Sequence, residues 1–207
     1  MRTKTTLAVV AAAAFAMPAG AAMGAPDAAR DIVVGTNADD HLVGTSGRDT
    51  IRGLAGDDVI SGRRGADELM AGRGDDVVHG NQGNDGLSGK AGDDVLWGGT
   101  GLRGDFLFGF RGDDLAYGGS GPDFFNAGGG ADTYYGGRGT DEAVPGVGRD
   151  FVHLGRGHDF ISALGDDGAR DRIRCGMGGR DSVEYLDHID PKDVITGCER
   201  ITVLQPN

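Results

Sequence analysis

An aspartate every nine residues constrains this chain more than any other feature. Asp40, Asp49, Asp58, Asp67, Asp76, Asp85 and Asp94 mark six equal steps. After a two-residue insertion, Asp105, Asp114, Asp123, Asp132, Asp141, Asp150 and Asp159 mark six more. The residue two places after each is large and apolar, from Leu42 and Ile51 to Val152 and Ile161, with Ala116 and Ala143 as exceptions. Glycine stands two places before most of them, as at Gly47, Gly56 and Gly65, so the unit is G-G-x-G-x-D-x-U-x with U apolar. Glycine reaches 41 of 207 residues, against roughly 7% in ordinary chains. Collagen would need it at every third position, and GLAGDDVISG does not have that. Disorder would need few large apolar residues, and these recur along the whole chain. A turn-dominated repeat that stacks into a solenoid remains.

The chemistry of the unit points to a hard cation. Glycines at the first, second and fourth places permit positive φ and a tight turn whose carbonyls converge. The three residues x-U-x suffice for a short strand with one inward side chain. Carbonyl and carboxylate oxygens are the ligands Ca²⁺ takes, six to eight at about 2.3–2.6 Å. No phased position holds His or Cys, which disfavours zinc or copper. The net charge of −12 repels a phosphate backbone, so nucleic acid is not an expected partner and cations are.

The termini read differently. Arg2 and Lys4 precede an apolar run from Leu7 to Met17, then Pro18 and small residues up to Ala25. This is the pattern of a secretory signal peptide over 1–24, cut near Gly24/Ala25 with Ala22 and Gly24 as the small residues before the cut. The run is too short to span a bilayer, and no later segment is long enough. The mature chain is therefore expected outside the cell, with a lead-in at 25–34, repeats over 35–162 and a closing segment at 163–207. In an exported chain the isolated pair Cys175 and Cys198 reads as one disulfide rather than two thiols.

These nonapeptides resemble the repeats-in-toxin (RTX), hemolysin-type calcium-binding family. GGSGPDFFN (118–126) and GGRGTDEAV (136–144) carry the full turn, and the likeness covers about residues 35 to 162. The resemblance implies an all-β parallel β-roll, a β-solenoid of glycine-rich repeats. It implies that turn carbonyls and the sixth-place aspartates hold several Ca²⁺ ions, which makes all fourteen phased aspartates candidate ligands. The closing segment is similar to that of secreted, actinobacterial-like members, where a Cys pair flanks the last strands and a disulfide-closed cap ends the roll. Classical members are exported without an N-terminal signal, so their secretion route is not carried over.

A second period, of eighteen, shows how the chain coils. Paired aspartates recur at Asp39/Asp40, Asp57/Asp58, Asp75/Asp76, Asp93/Asp94 and Asp113/Asp114, while the intervening repeats have Arg48, Ala66, Asn84, Gly104 and Pro122 instead. One coil then holds two turns and two strands on opposite sides, with calcium between turns a coil apart, as between Asp40 and Asp58. Two columns of seven turns leave twelve gaps, and with the ends and the insertion discounted we expect roughly eight to ten ions, each held by carboxylate and carbonyl oxygens. A coil with two inward apolar residues has a thin core, and stacked carboxylates repel, so the metal-free chain is expected to be largely unfolded. Beyond Asp159 the phase slips, to Asp171 and Asp181. Ile173, Val183, Val194 and Ile201 alternate there as inward residues, and Asp187, Asp190 and Asp193 read as a solvated acidic loop.

No catalytic pattern accompanies the repeats. H-E-x-x-H and G-x-S-x-G are absent, and His41, His79, His153, His158 and His188 are scattered. Glu68, Glu142, Glu184 and Glu199 are likewise dispersed. The expected function is a calcium-binding structural or interaction module and not an enzyme. The alternative is a module acting on extracellular polymer. One face stands out: Val59, Val77, Val95 and Leu115 lie a coil apart on outward positions, and Trp97, Tyr117 and Tyr135 form a second ladder beside them. That stripe either stabilises its sheet by stacking or docks a protein, cell-surface or carbohydrate partner.

Overall fold

Nine-residue spacing places successive strands on alternate sides of a coil, and the structure builds two parallel sheets from that rule. It is a computed structural model, and it describes residues 7–9, 31–164, 167–185 and 189–204. Even-numbered strands from β2 (Asp31–Val34) to β20 (Arg200–Val203) stack in chain order in one sheet. Odd-numbered strands from β3 (His41–Val43) to β19 (Val194–Thr196) form the other. The described residues contain no helix. The fold is thus the expected all-β parallel solenoid. A three-residue strand, β1 (Leu7–Val9), pairs in parallel with β2. It lies within the stretch read as a signal peptide. The rest of that stretch, including Ala22 and Gly24, lies outside the described residues, as do Asp187 and His188.

Between the sheets runs a core one or two side chains wide. All fourteen inward positions, from Leu42 to Ile161, are buried. The two alanines among them have a packing reason. Ala116 is in register with Tyr134, and Ala143 with Phe125. The rings of Phe125 and Tyr134 stack across the core with centroids 4.8 Å apart. Small neighbours make room for the two largest inward residues of the repeats. At turn positions the coils approach closely: at Gly56, with φ of 107°, a Cβ would lie 2.5 Å from the Ala38 backbone. Only glycine satisfies both the sterics and the backbone angle there.

The closing segment continues the solenoid. Ile173 and Val183 are buried as expected. Val194 is 37% exposed, and the inward residue of β19 is Ile195, in register with Ile173. Ile201 keeps its inward register with Val183 but is exposed, because no further described rung covers it. Cys175 on β17 (Arg172–Gly178) is fully buried and bonded to Cys198, with Cα atoms 5.2 Å apart. The disulfide ties β17 to the connection between β19 and β20. The coil interior fills toward this end. Leu154, Cys175 and Tyr185 are buried on the second inward side, where the repeats have mostly glycine.

Candidate metal centre: two columns of buried aspartates

The sixth residue of each turn faces into the coil, and stacking places these residues in two columns. From Asp58 onward each carboxylate accepts, through Oδ1, the backbone N–H of the aspartate one coil earlier. Asp40 donates to Asp58 at 2.8 Å, Asp49 to Asp67 at 2.8 Å, and Asp105 to Asp123 at 2.8 Å. The two-residue insertion does not interrupt either column, since Asp85 reaches Asp105 and Asp94 reaches Asp114 across twenty residues. The extra residues bulge outward instead, leaving Leu102 exposed. All fourteen phased aspartates are buried.

The second oxygen is the notable one. Oδ2 of Asp58, Asp67, Asp76, Asp85, Asp94 and Asp105 is buried with no hydrogen-bond partner. The same holds for Oδ2 of Asp114, Asp123, Asp132, Asp141, Asp150 and Asp159. A buried acceptor without a partner costs about 1–3 kcal/mol, and more when charged. The first turns are the exception. Thr36 N–H donates to Asp40 Oδ2 at 2.5 Å, and Thr45 N–H to Asp49 Oδ2 at 2.6 Å, so threonines cap the columns at their start.

At Asp58, Asp67, Asp85, Asp105, Asp114, Asp123 and Asp141 the orphan oxygen and a backbone carbonyl of the next coil border the same small space above a glycine. A Cβ added to Gly62 would stand 2.5 Å from Asp67 Oδ2 and 3.1 Å from the Gly80 carbonyl oxygen. At Gly118 the corresponding distances are 2.5 Å to Asp123 Oδ2 and 2.7 Å to the Gly136 oxygen. The first glycine of the unit thus keeps open a space where carboxylate and carbonyl oxygens converge. Among the described residues, no group of three or more His, Cys, Asp or Glu side chains comes together around a point. An ion here has to complete its shell with carbonyls, and that mixture is the preference of Ca²⁺.

Burial and like charge lift the carboxyls out of their usual range. Desolvation, opposed by the backbone hydrogen bond and reinforced by carboxylates of neighbouring coils, raises Asp105 and Asp114 to about 7 and Asp94 to about 8. Asp67 and Asp141 rise to about 7 and Asp150 to about 8 for the same first cause. A divalent cation between such carboxylates reverses this balance.

Outside this frame the columns run on. Asp150 donates to Asp171, Asp159 to Asp181, Asp171 to Asp193 and Asp181 to Glu199 Oε2. Asp193, expected in a solvated loop, instead accepts the Asp171 N–H at 3.0 Å and the Tyr185 hydroxyl at 3.0 Å. The signal that could have found these residues is the surviving D-x-U triplet, at Asp171–Ile173, Asp181–Val183 and Asp193–Ile195. The paired aspartates also acquire a reason. Asp39, Asp57, Asp75 and Asp93 each accept the N–H of the equivalent residue one coil later, so a second, exposed ladder runs opposite in sense to the buried one.

A family model for the RTX calcium-binding nonapeptide repeat matches residues 34–69, 62–96, 80–101, 108–143 and 146–168. The chain belongs to this family. No curated protein matches it. The RTX repeats are a calcium-binding, non-catalytic repeat family typical of extracellular or secreted proteins. No helix among the described residues is long and apolar enough to cross a membrane.

The outward aromatic ladder is a stack. Trp97 and Tyr117 lie 4.0 Å apart between centroids at 12°, and Tyr117 and Tyr135 lie 5.2 Å apart at 11°. Those spacings bracket the distance between neighbouring strands, so the rings stand face to face along the sheet. Both faces of Tyr117 are covered.

Proposed function

We propose that this chain is a secreted calcium-binding repeat protein whose β-roll forms when Ca²⁺ occupies the gaps between successive turns. The observation that carries the reading is the repeated orphan Oδ2, buried beside a carbonyl of the next coil. The fourteen phased aspartates, Asp40 through Asp159, hold the ions together with turn carbonyls. Bound Ca²⁺ supplies the positive charge that the stacked carboxylates lack. The chain's own residues fix the spacing, through the N–H to Oδ1 ladder and the first glycine of each unit. Ala71, Ala127, Pro145 and Leu154 stand in place of that glycine and fill space at their turns, which fits roughly eight to ten ions rather than twelve, each held by carboxylate and carbonyl oxygens. Residues 1–24 act as the export signal, and 163–207 close the roll.

The role is structural or interactive rather than catalytic, because the carboxyls lifted out of their usual range all belong to the columns. The stripe of Trp97, Tyr117 and Tyr135 stabilises its sheet. A sugar ring stacks on an open aromatic face, and Tyr117 has none. Calcium titration calorimetry on the mature chain tests the reading. Eight to ten ions per chain, taken up with gain of β structure, are expected; uptake of one or two ions, or none, would refute it.

A further inference from the structure

The opposite sheet carries a feature that the metal columns do not use. On its outer face, β8 (Gly86–Ala91) lies between β6 (Glu68–Arg73) and β10 (Phe106–Arg111). The registers are Glu68, Gly86 and Phe106 in one row, then Met70, Ser88 and Phe108, then Gly72, Lys90 and Phe110. Gly86 and Ser88, small residues between longer ones on both sides, leave a cavity of about 250 Å³, walled by Met70, Lys90, Phe108 and Phe110. Beside it stands a ridge of phenylalanines, Phe106 at 55% exposure and Phe110 at 44%, with Phe108 and Phe124 packed 5.9 Å apart behind.

Here the chain departs from its own repeat in both senses. Gly86 has no steric need to be glycine: its φ is not positive, and an added Cβ would meet only the Asp67 carbonyl oxygen, at 3.9 Å. A strand glycine with open space above it marks a place where something else approaches. Lys90 and Phe110 adopt φ of 84° and 80°, as Leu54, Arg63 and Asn81 do at the equivalent place of their coils, while the flanking rungs here have Gly72 and Gly128. Bulky residues at positive φ carry backbone strain of order 1–3 kcal/mol. The strain places the Lys90 ammonium over the Phe110 ring at 4.0 Å, at the lip of the notch. Nothing in the coil's interior requires either side chain.

We propose that this face is a self-association surface, in which the Phe106–Phe110 ridge of one copy seats in the Gly86 notch of a second. Ridge and notch sit on adjacent rungs of one sheet. A two-fold axis along the strand direction, passing between β8 and β10, lays each ridge over the partner's notch, so the interface closes on itself. The same operation brings β4 (Asp49–Ala55), with exposed Arg52, opposite β14 (Glu142–Val144), with Glu142, at both edges. The cavity is smaller than the roughly 300–1,000 Å³ of a small-molecule site and suits one inserted side chain. Five rungs of strands about 20 Å long and the three-residue β14 at about 10 Å, spaced about 4.8 Å apart, give about 1,050 Å² in total. That is just above the roughly 1,000 Å² of a specific interface, so the dimer is weak.

Sedimentation velocity on the calcium-loaded chain tests this, with circular dichroism of each sample to confirm that it is folded. Wild type should pass from monomer to dimer over about 5–200 μM, the range of a small interface. Gly86→Trp fills the notch without touching the backbone and should remain monomeric throughout, at least about tenfold weaker. Phe106→Ser with Phe110→Ser should do the same, while Trp97→Ser with Tyr117→Ser should pair like wild type. A wild type that stays monomeric, a Gly86→Trp chain that pairs normally, or loss of pairing only in the Trp97/Tyr117 variant would each overturn the proposal.

Discussion

Replacing Gly118 with alanine isolates the metal cradle from every other role of glycine in the repeat. Gly118 does not have a positive φ, so alanine adds no backbone strain. Its methyl would lie 2.5 Å from Asp123 Oδ2 and 2.7 Å from the Gly136 oxygen, both inside van der Waals contact. Asp123 must turn away, weakening the 2.8 Å hydrogen bond from Asp105 N–H. The lost bond accounts for about 0.5–1.5 kcal/mol, and the displaced carboxylate raises the total to about 1–3 kcal/mol. In a chain of this length that is a fall of roughly 3–10 °C in the calcium-saturated melting temperature. Calorimetry should also count fewer bound ions. Gly86→Ala is the control: it has open space and should stabilise by about 0.4–1 kcal/mol. If Gly118→Ala binds as many ions as wild type and melts with Gly86→Ala, the cradle is not where calcium sits.

Acid should substitute in part for calcium. The columns' carboxyls have folded-state values raised above the ordinary 3.8, as Asp114 to about 7 and Asp94 to about 8. Groups with raised values contribute stability below their unfolded value and lose it as pH climbs through the folded one. The metal-free roll should therefore gain β signal in EGTA as pH falls from about 8 toward 4, while the calcium midpoint moves to higher concentration. Cys175→Ser with Cys198→Ser opens a loop of about 24 residues and should cost roughly 3 kcal/mol, read as a lower melting temperature in saturating calcium. Trp97→Ser with Tyr117→Ser should fold at saturating calcium but melt lower, by about 0.5–1.5 kcal/mol for each stacked pair lost. A double variant that melts like wild type removes the ladder from the list of stabilising contacts.

Most of the repeat region is legible because its signals reinforce one another. Asp58, Ile60 and Gly56 each announce a turn, an inward side chain and a tight backbone, and nine residues separate every set from the next. Where loops lengthen the coil, the spacing fails while the physics persists. Asp150 to Asp171 spans 21 residues and Asp159 to Asp181 spans 22, yet both bonds form. A frame counted in nines cannot see this, whereas a search for D-x-U finds Asp171, Asp181 and Asp193. The choice between Val194 and Ile195 as inward residue depends on register one coil earlier, and a shift of one residue exchanges the faces. Gly86 is harder still. It alone among the fourteen repeats puts glycine between the aspartate and the inward residue, but only the space above it shows that the fold did not demand it.

Far-UV circular dichroism of the mature chain, taken from EGTA into increasing Ca²⁺ at pH 7.5, tests the central claim most directly. Fourteen carboxylate oxygens among the described residues are buried and unpartnered and cannot be stable as a bare stack, so the account predicts little β structure in EGTA. It predicts a cooperative rise as calcium is added, and no equivalent rise with Mg²⁺, whose rigid octahedral shell suits a carbonyl-lined turn poorly. A full β spectrum in EGTA, unchanged by calcium, would contradict it.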